Sequence, residues 1–268
     1  MSLHVHSVGT GPDIVLLHGW GLHAEVWHDV AQQLATRYRV TLIDLPGHGR
    51  SGSVEDYSLS QVAACIAEVA PPHAIWLGWS LGGMIAMHIA MTPAMSDKRV
   101  RALILVASTP QFVCDEDWPH AMTRPVLESF AQSLQENHAE TVQHFLALQT
   151  RGSMQGQHTL RRLRQAVTQY PPQFGALQGG LAILRDARLR PYLQQITCPV
   201  QIILGERDML VPHDMGRALQ AQLPNARLNV IAAAGHAPFL SHSVEFLDCV
   251  DGFLTNNSNS EFSDEQRC

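Results

Sequence analysis

Short apolar runs of strand length recur along this chain, and most are followed by a longer amphipathic stretch. The runs are "DIVLLHG" (13–19), "RVTLIDL" (39–45), "AIWLGW" (74–79), "RALILVAS" (101–108), "VQIILGE" (200–206) and "RLNVIAAA" (227–234). Continuous apolar runs bounded by Gly, Pro and Asp are the pattern of strands buried on both faces. The intervening stretches 24–36, 58–70, 81–92, 213–223 and 241–254 carry helical spacing. This order predicts an α/β fold, with a mainly parallel sheet flanked by helices. "LHVHSV" (3–8) alternates instead, which predicts an antiparallel edge strand.

The alternation breaks between about residues 111 and 190, where "RPVLESFAQSLQ", "AETVQHFLALQT" and "TLRRLRQAVTQY" read as amphipathic helices without an accompanying strand. A helical insertion before the last two strands would lie over the sheet's C-terminal edge as a lid. The expected organisation is a core of residues 1–110 and 190–255, a helical lid at 111–189 and a polar, low-complexity, disordered tail at 256–268. No internal repeat is visible.

The chain has 268 residues, 46% hydrophobic and 16% charged, enough for one sizeable core plus such an insertion. A net charge of −6 argues against a general nucleic-acid binder, because phosphate attraction dominates that affinity. No run approaches the ~18 apolar residues that span a bilayer, and no basic segment followed by an apolar stretch marks a secretory signal. The five cysteines are scattered without a CxxC pair, which predicts a reducing, cytoplasmic location with neither disulfide frame nor zinc site. The fifteen histidines show no HExxH spacing, so no metal is expected.

"GWSLGG" stands between the run 74–79 and the helical stretch from Leu81. In a strand–G-x-S-x-G–helix turn, small residues two positions either side of a serine remove side chains that would collide, and the hydroxyl projects at the helix N-terminus. Gly78 and Gly82 occupy those positions around Ser80. The bland alternative is a buried serine among chance glycines; placement between strand and helix favours a presented nucleophile.

A serine hydroxyl needs a base, and the base an orienting acid. Asp208 follows one strand in "VQIILGERDMLVP" and His236 follows the next in "VIAAAGHAPF", in the order Ser, acid, His. Glu206 is a competing acid, but lies closer to the strand. The remaining requirement is a pair of amides for the oxyanion: Leu81, directly after the serine, and Trp20, in the loop "HGWGLHAEVW". His18 reads as structural in that loop. "DLPGHGRS" (44–51) is a Gly-rich turn lacking the lysine and spacing of a phosphate cradle.

Together these pieces resemble the α/β-hydrolase superfamily over roughly 12–110 and 190–255. The runs "VLLHGWGLHAEVW", "DLPGHGRS", "AIWLGWSLGG", "FLALQT", "GGLAIL" and "AGHAPFLSH" are similar to the biotin-synthesis carboxylesterases that cleave the methyl ester of pimeloyl-acyl carrier protein. The resemblance implies nucleophile Ser80, acid Asp208, base His236, oxyanion amides of Trp20 and Leu81, and an acyl pocket lined by Trp79 and Phe145. Its implied partners are the acyl carrier protein bearing the ester and small esters; no cofactor is required, and a monomer is expected. The family also holds its acidic carrier with lid arginines. Here "AETVQH" departs from that pattern, with Glu140 and His144 in the stretch before "FLALQT", and 91–100 carries extra residues that read as a surface loop.

The lid's charge supports the remaining half of such a docking surface. Residues 151–190 contain seven arginines and one acid, a segment of +6 on a chain whose remainder is −12. Arg151, Arg161, Arg162 and Arg164 are the candidate docking residues, and Arg161 and Arg164 share a helix face; the bland alternative is a solvated face. The alternatives for function are a broad-specificity carboxylesterase, thioesterase or lactonase on the same core, and a hydrolase-fold small-molecule receptor.

Overall fold

The computed structural model describes residues 2–93, 100–151, 153 and 155–264, with residues 258–264 described by backbone alone. Most of the loop predicted over 91–100, namely 94–99, lies outside the described residues. The strands are β1 (Val5–Val8), β2 (Asp13–Leu17), β3 (Arg39–Ile43), β4 (Ile75–Trp79), β5 (Ala102–Val106), β6 (Val200–Gly205) and β7 (Ala226–Ile231). They form one sheet in the order β1-β3-β2-β4-β5-β6-β7. β1 pairs antiparallel with β3, in register Val5 to Ile43, and every other pairing is parallel. β4 and β5 are buried throughout, as continuous apolar runs require. β7 is mostly exposed or half-buried: as the edge strand it has a single neighbour and needs little apolar coverage.

Strand order reverses between β2 and β4. From β2 the chain moves out to β3, and from β4 it moves the other way to β5, leaving a crevice at the C-terminal ends of these two adjacent strands. Open α/β sheets bind ligands at such a switch point.

The helices of the core are α1 (His28–Leu34), α2 (Leu59–Val69), α3 (Leu81–Met91), α8 (Asp214–Gln222), α9 (Pro238–Ser241) and α10 (Ser243–Asp264). The predicted helix 24–36 begins as a 3-10 turn, Ala24–Trp27. α3 is buried over most of its length, because it descends from the crevice through the core. α10 buries Phe246, Val250, Phe253 and Leu254, and its backbone continues through Asp264. Regular structure therefore extends into the stretch 256–264 that composition assigned to a disordered tail. Extending an existing helix is far cheaper than nucleating one. Residues 265–268 lie outside the described residues.

Between β5 and β6 lie α4 (Arg124–Glu136), α5 (His138–Thr150), α6 (Gly156–Gln169) and α7 (Phe174–Asp186). Asn137 caps α5 by accepting a hydrogen bond from the Glu140 amide at 3.2 Å. Inward-facing Leu134, Leu146, Leu163 and Leu177 are buried, and that burial fixes these amphipathic helices in place. The segment's two ends meet: Leu189 N–H donates to Pro110 O at 3.0 Å, and the Arg190 guanidinium lies over the Trp118 ring. Among the described residues no helix is long and apolar enough to cross a membrane.

Candidate active site

Ser80 is the single residue between β4 and α3. Its backbone sits at φ 54°, ψ −117°, a conformation that costs a non-glycine residue about 1–3 kcal/mol. Close packing enforces the bend. A Cβ on Gly82 would lie 2.6 Å from Leu17 O and His18 O, and one on Gly78 would lie 2.5 Å from Gly82 O. Hydrogen bonds then hold it: Ser80 N–H donates to Val106 O at 2.9 Å, while Ser80 O accepts from Gly83 N–H at 3.0 Å and Ser108 Oγ at 2.8 Å.

The loops after β6 and β7 bring in Asp208 and His236. Glu206 N–H donates to Ile231 O and Arg207 N–H to Ala234 O, joining the two loops at their bases. Asp208 Oδ2 meets His236 Nδ1 at 2.8 Å, and both side chains are buried. Asp208 Oδ1 accepts from the amides of Leu210 at 2.8 Å and Val211 at 3.0 Å. An acceptor-only carboxylate therefore places the proton on Nδ1 and leaves Nε2 as the imidazole's acceptor. That Nε2 is buried without a hydrogen-bond partner. The imidazole packs against Trp79, the neighbour of Ser80, with ring centroids 5.7 Å apart, and Trp79 Nε1 donates to His236 O at 2.7 Å. Glu206, the competing acid, instead accepts from the Ala233 amide at 2.8 Å and braces that loop.

The third wall is the loop after β2. A Cβ on Gly19 would lie 3.4 Å from Ser80 Cβ, so this loop lies directly against the serine. Among the described residues neither the Trp20 nor the Leu81 amide makes a protein hydrogen bond. Leu81 is also the first residue of α3, where the helix dipole adds positive potential.

Two buried, neutral histidines hold that loop in place. His18 Nε2 accepts from Leu45 N–H at 2.9 Å and Nδ1 donates to Gly19 O at 2.8 Å, the structural role its sequence position suggested. His48 Nε2 accepts from Gly21 N–H at 3.3 Å and Nδ1 donates to Pro46 O at 3.0 Å. Burial pushes His48 down to about 4 and, with the repulsion a protonated His48 would exert as a lesser cause, His18 well below its ordinary value. Asp44 completes the brace, accepting from Ala24 N–H at 2.7 Å and Arg50 N–H at 2.9 Å. "DLPGHGRS" is therefore the support for the Trp20 loop.

Helices α5 and α7 of the segment between β5 and β6 pack against the crevice. Trp20 Nε1 donates to Leu177 O of α7 at 2.8 Å, and the Trp20 ring meets Phe145 of α5 edge-on at 4.8 Å. His236 N–H donates to Gln149 O at 3.1 Å, at the end of α5. Ser80, Asp208, His236, Trp20, Leu81, Trp79 and Phe145 thus converge. The proposed docking arginines separate instead: Arg151, Arg161 and Arg164 are exposed, whereas Arg162 donates to Asp29 of α1 at 2.6 Å in a partly exposed surface pair. Glu140 is exposed at the start of α5, bonded to Asn137, and the His144 ring packs on Phe130. Among the described residues, no group of three or more His, Cys, Asp or Glu could hold a metal ion. Sequence reasoning did not find Ser108, Asp44, His48 or Gln149. Of these, Asp44 and His48 carried a signal, lying in a turn that follows a strand at the same edge.

A family model described as "alpha/beta hydrolase fold" matches residues 12–243. The chain is 42% identical over 257 residues to a pimeloyl-[acyl-carrier protein] methyl ester esterase of Aeromonas salmonicida, covering 95% of this chain and 100% of the relative. It is 44% identical over 247 residues to the enzyme of the same name from Chromobacterium violaceum, covering 92% and 96%. Among solved structures, an esterase from Exiguobacterium antarcticum superposes with a TM-score of 0.84 at 22% identity, over 94% of this chain and 95% of the other. An enol-lactonase from Burkholderia xenovorans LB400 gives 0.80 at 20% identity, over 94% and 96%. At such identities these structures speak for the fold alone.

Proposed function

The chain belongs to the α/β-hydrolase family and, within it, to the pimeloyl-[acyl-carrier protein] methyl ester esterases, and from that premise we propose how its crevice works. It is a carboxylic ester hydrolase acting on the methyl ester of pimeloyl-acyl carrier protein in biotin synthesis. One observation carries the substrate: similarity at 42% identity extends over the whole length of the relative, lid and core together.

In our reading Ser80 Oγ attacks the ester carbonyl while His236 Nε2 takes its proton. Asp208 holds the imidazole by Nδ1 and stabilises the imidazolium. The carbonyl oxygen, now negative, accepts hydrogen bonds from the amides of Trp20 and Leu81. Collapse breaks the bond to the methoxy oxygen, which leaves as methanol with the proton from His236. Water then attacks the acyl-enzyme, giving its proton to His236, and Ser80 departs with that proton as the free acid forms. In the free protein His236 Nε2 is unpartnered; nucleophile–base hydrogen bonds often tighten only in the substrate complex.

Trp20, Trp79, Leu81 and Phe145 line the apolar wall for the acyl chain. Arg151, Arg161 and Arg164 are the lid cations offered to the acidic carrier, with the protein acting as a monomer in the cytoplasm.

The test compares carrier-linked pimeloyl methyl ester with the free monomethyl ester. The expectation is hydrolysis of both, with kcat/KM at least about tenfold higher for the carrier-linked ester if docking contributes roughly 1.4 kcal/mol. S80A should lose about 10⁶-fold in kcat on both. Wild-type turnover by S80A, or inertness toward the carrier-linked ester, overturns the reading.

A further inference from the structure

The G-x-S-x-G pattern accounts for Gly78 and Gly82 but not for Gly83, the next residue of "GWSLGG". A Cβ on Gly83 would lie 2.5 Å from both Cβ and Oγ of Ser108. Ser108 is fully buried, two residues beyond the end of β5, and its Oγ donates to Ser80 O at 2.8 Å.

We propose that Ser108 is a positioning residue for the oxyanion hole, fixing the Leu81 amide through the carbonyl of Ser80. This rests on Ser80 being the nucleophile and the Leu81 amide an oxyanion donor. The peptide unit is planar, so Ser80 C=O and Leu81 N–H point in opposite directions in one plane. Whatever holds the carbonyl therefore aims the amide.

Ser80 O also accepts from Gly83 N–H at 3.0 Å and Met84 N–H at 3.3 Å, but both donors belong to α3 and move with it. Ser108 belongs to the sheet side. The same short segment accepts the Ser80 amide at Val106 O. Both backbone polar groups of the strained residue are thus tied to one strand end. Between those two anchors Ala107 has φ 44°, itself uncommon for a residue with a side chain, and its N–H is bonded to Ile203 O of β6 at 2.9 Å. That turn lets Val106 O and Ser108 Oγ both reach Ser80.

The test is S108A and S108C, assayed on a soluble ester and against a boronic acid whose tetrahedral Ser80 adduct presents an oxygen to the same amides. Losing one oxyanion donor outright costs about 10²–10³ in kcat. S108A leaves the donor in place but lets it tilt, so the expected loss is about tenfold in kcat with KM within about twofold. Boronate affinity should weaken by the same factor. S108C, with a weaker donor of similar size, should fall between.

The proposal is overturned if S108A keeps kcat within about twofold of wild type, or loses kcat while binding the boronate as tightly as before. Should S108A fail to fold, wild-type kcat and boronate affinity in S108C overturn it equally. S80A separates the two levels: turnover by S80A sinks the underlying reading, whereas a dead S80A beside a fully active S108A sinks only the role of Ser108.

Discussion

On the sheet side of the crevice, position is set mainly by backbone: glycines where a Cβ has no room, and amides and carbonyls of adjacent loops bonded to one another. Ser80 has both backbone polar groups bonded, and Asp208 accepts two amides besides the imidazole. On the lid side the contacts are mostly apolar side chains, Phe145 against Trp20 for one, with a few bonds such as Leu177 O to Trp20 Nε1. Directional bonds over-determine geometry, while apolar packing fixes volume and leaves small displacements cheap. Chemistry should therefore depend on the sheet edge, and choice of substrate on the lid. Changes at the edge should fall on kcat, and changes in the lid on KM.

After the loss of Ser80 itself, the largest predicted effect at the edge is that of D208N. Oδ1 is pinned by the Leu210 and Val211 amides, so the oxygen of the introduced carboxamide takes that position and its NH2 faces His236 Nδ1. Nδ1 must then accept, Nε2 carries the proton, and the imidazole cannot take one from Ser80. The expected loss is about 10⁴-fold in kcat with little change in KM. A loss confined to KM would mean that the edge does not divide from the lid in this way.

Much of this edge is legible in the sequence alone. Parallel strands buried on both faces announce themselves as unbroken apolar runs, and Ser80 and Asp208 each follow such a run; His236 follows the partly exposed edge strand β7, marked more by its place after the acid's strand than by apolar continuity. Ser108 also follows an apolar run, but the bond it makes depends on the left-handed turn at Ala107, which no residue preference signals. His48 and Asp44 lay within what read as a Gly-rich turn, because Gly47 and Gly49 dominate the local pattern. α7 escaped explicit assignment as a helix, since Gly179 and Gly180 weaken helix propensity in its middle. Gly180 is there because a Cβ would approach Trp20 Cδ1 to 2.7 Å. The pairing of Arg162 with Asp29 joins residues distant along the chain, and a run of like-charged arginines gave no hint of it.

Acid should separate the two regions by stability. His48 has a folded value of about 4 against an ordinary 6.5, with burial as the first cause. Between those values the unfolded chain binds more protons, so stability is full above pH 6.5 and falls as pH drops toward 4. From pH 7.5 to 5 this group accounts for about 2 kcal/mol, and His18 acts in the same direction. On the lid, Asp115 is lowered chiefly by its bond from Gln111, and Asp186 chiefly by its bond from Arg185. Their contributions are lost only as pH falls below the ordinary carboxylate value of 3.8. Urea midpoints of wild type and H48Q across pH 7.5 to 4 measure the difference. H48Q should show the shallower decline by about 2 kcal/mol at pH 5, and parallel curves would remove the histidine brace from the account.

The smallest effect belongs to the lid surface, and there the structure divides one arginine cluster in two. Arg161 and Arg164 are exposed on one face of α6, while Arg162 is spent on Asp29. If the exposed pair guides an acidic carrier, R161E/R164E should raise KM for the carrier-linked ester by about five- to tenfold at low salt, leaving the free methyl ester unchanged. The difference should shrink as salt shortens the Debye length to about 3 Å at 1 M. R162E breaks an exposed pair worth about 0–1 kcal/mol and should leave carrier KM within about twofold. Equal effects of R162E and R161E/R164E would mean that net lid charge, rather than the face carrying Arg161 and Arg164, attracts the partner.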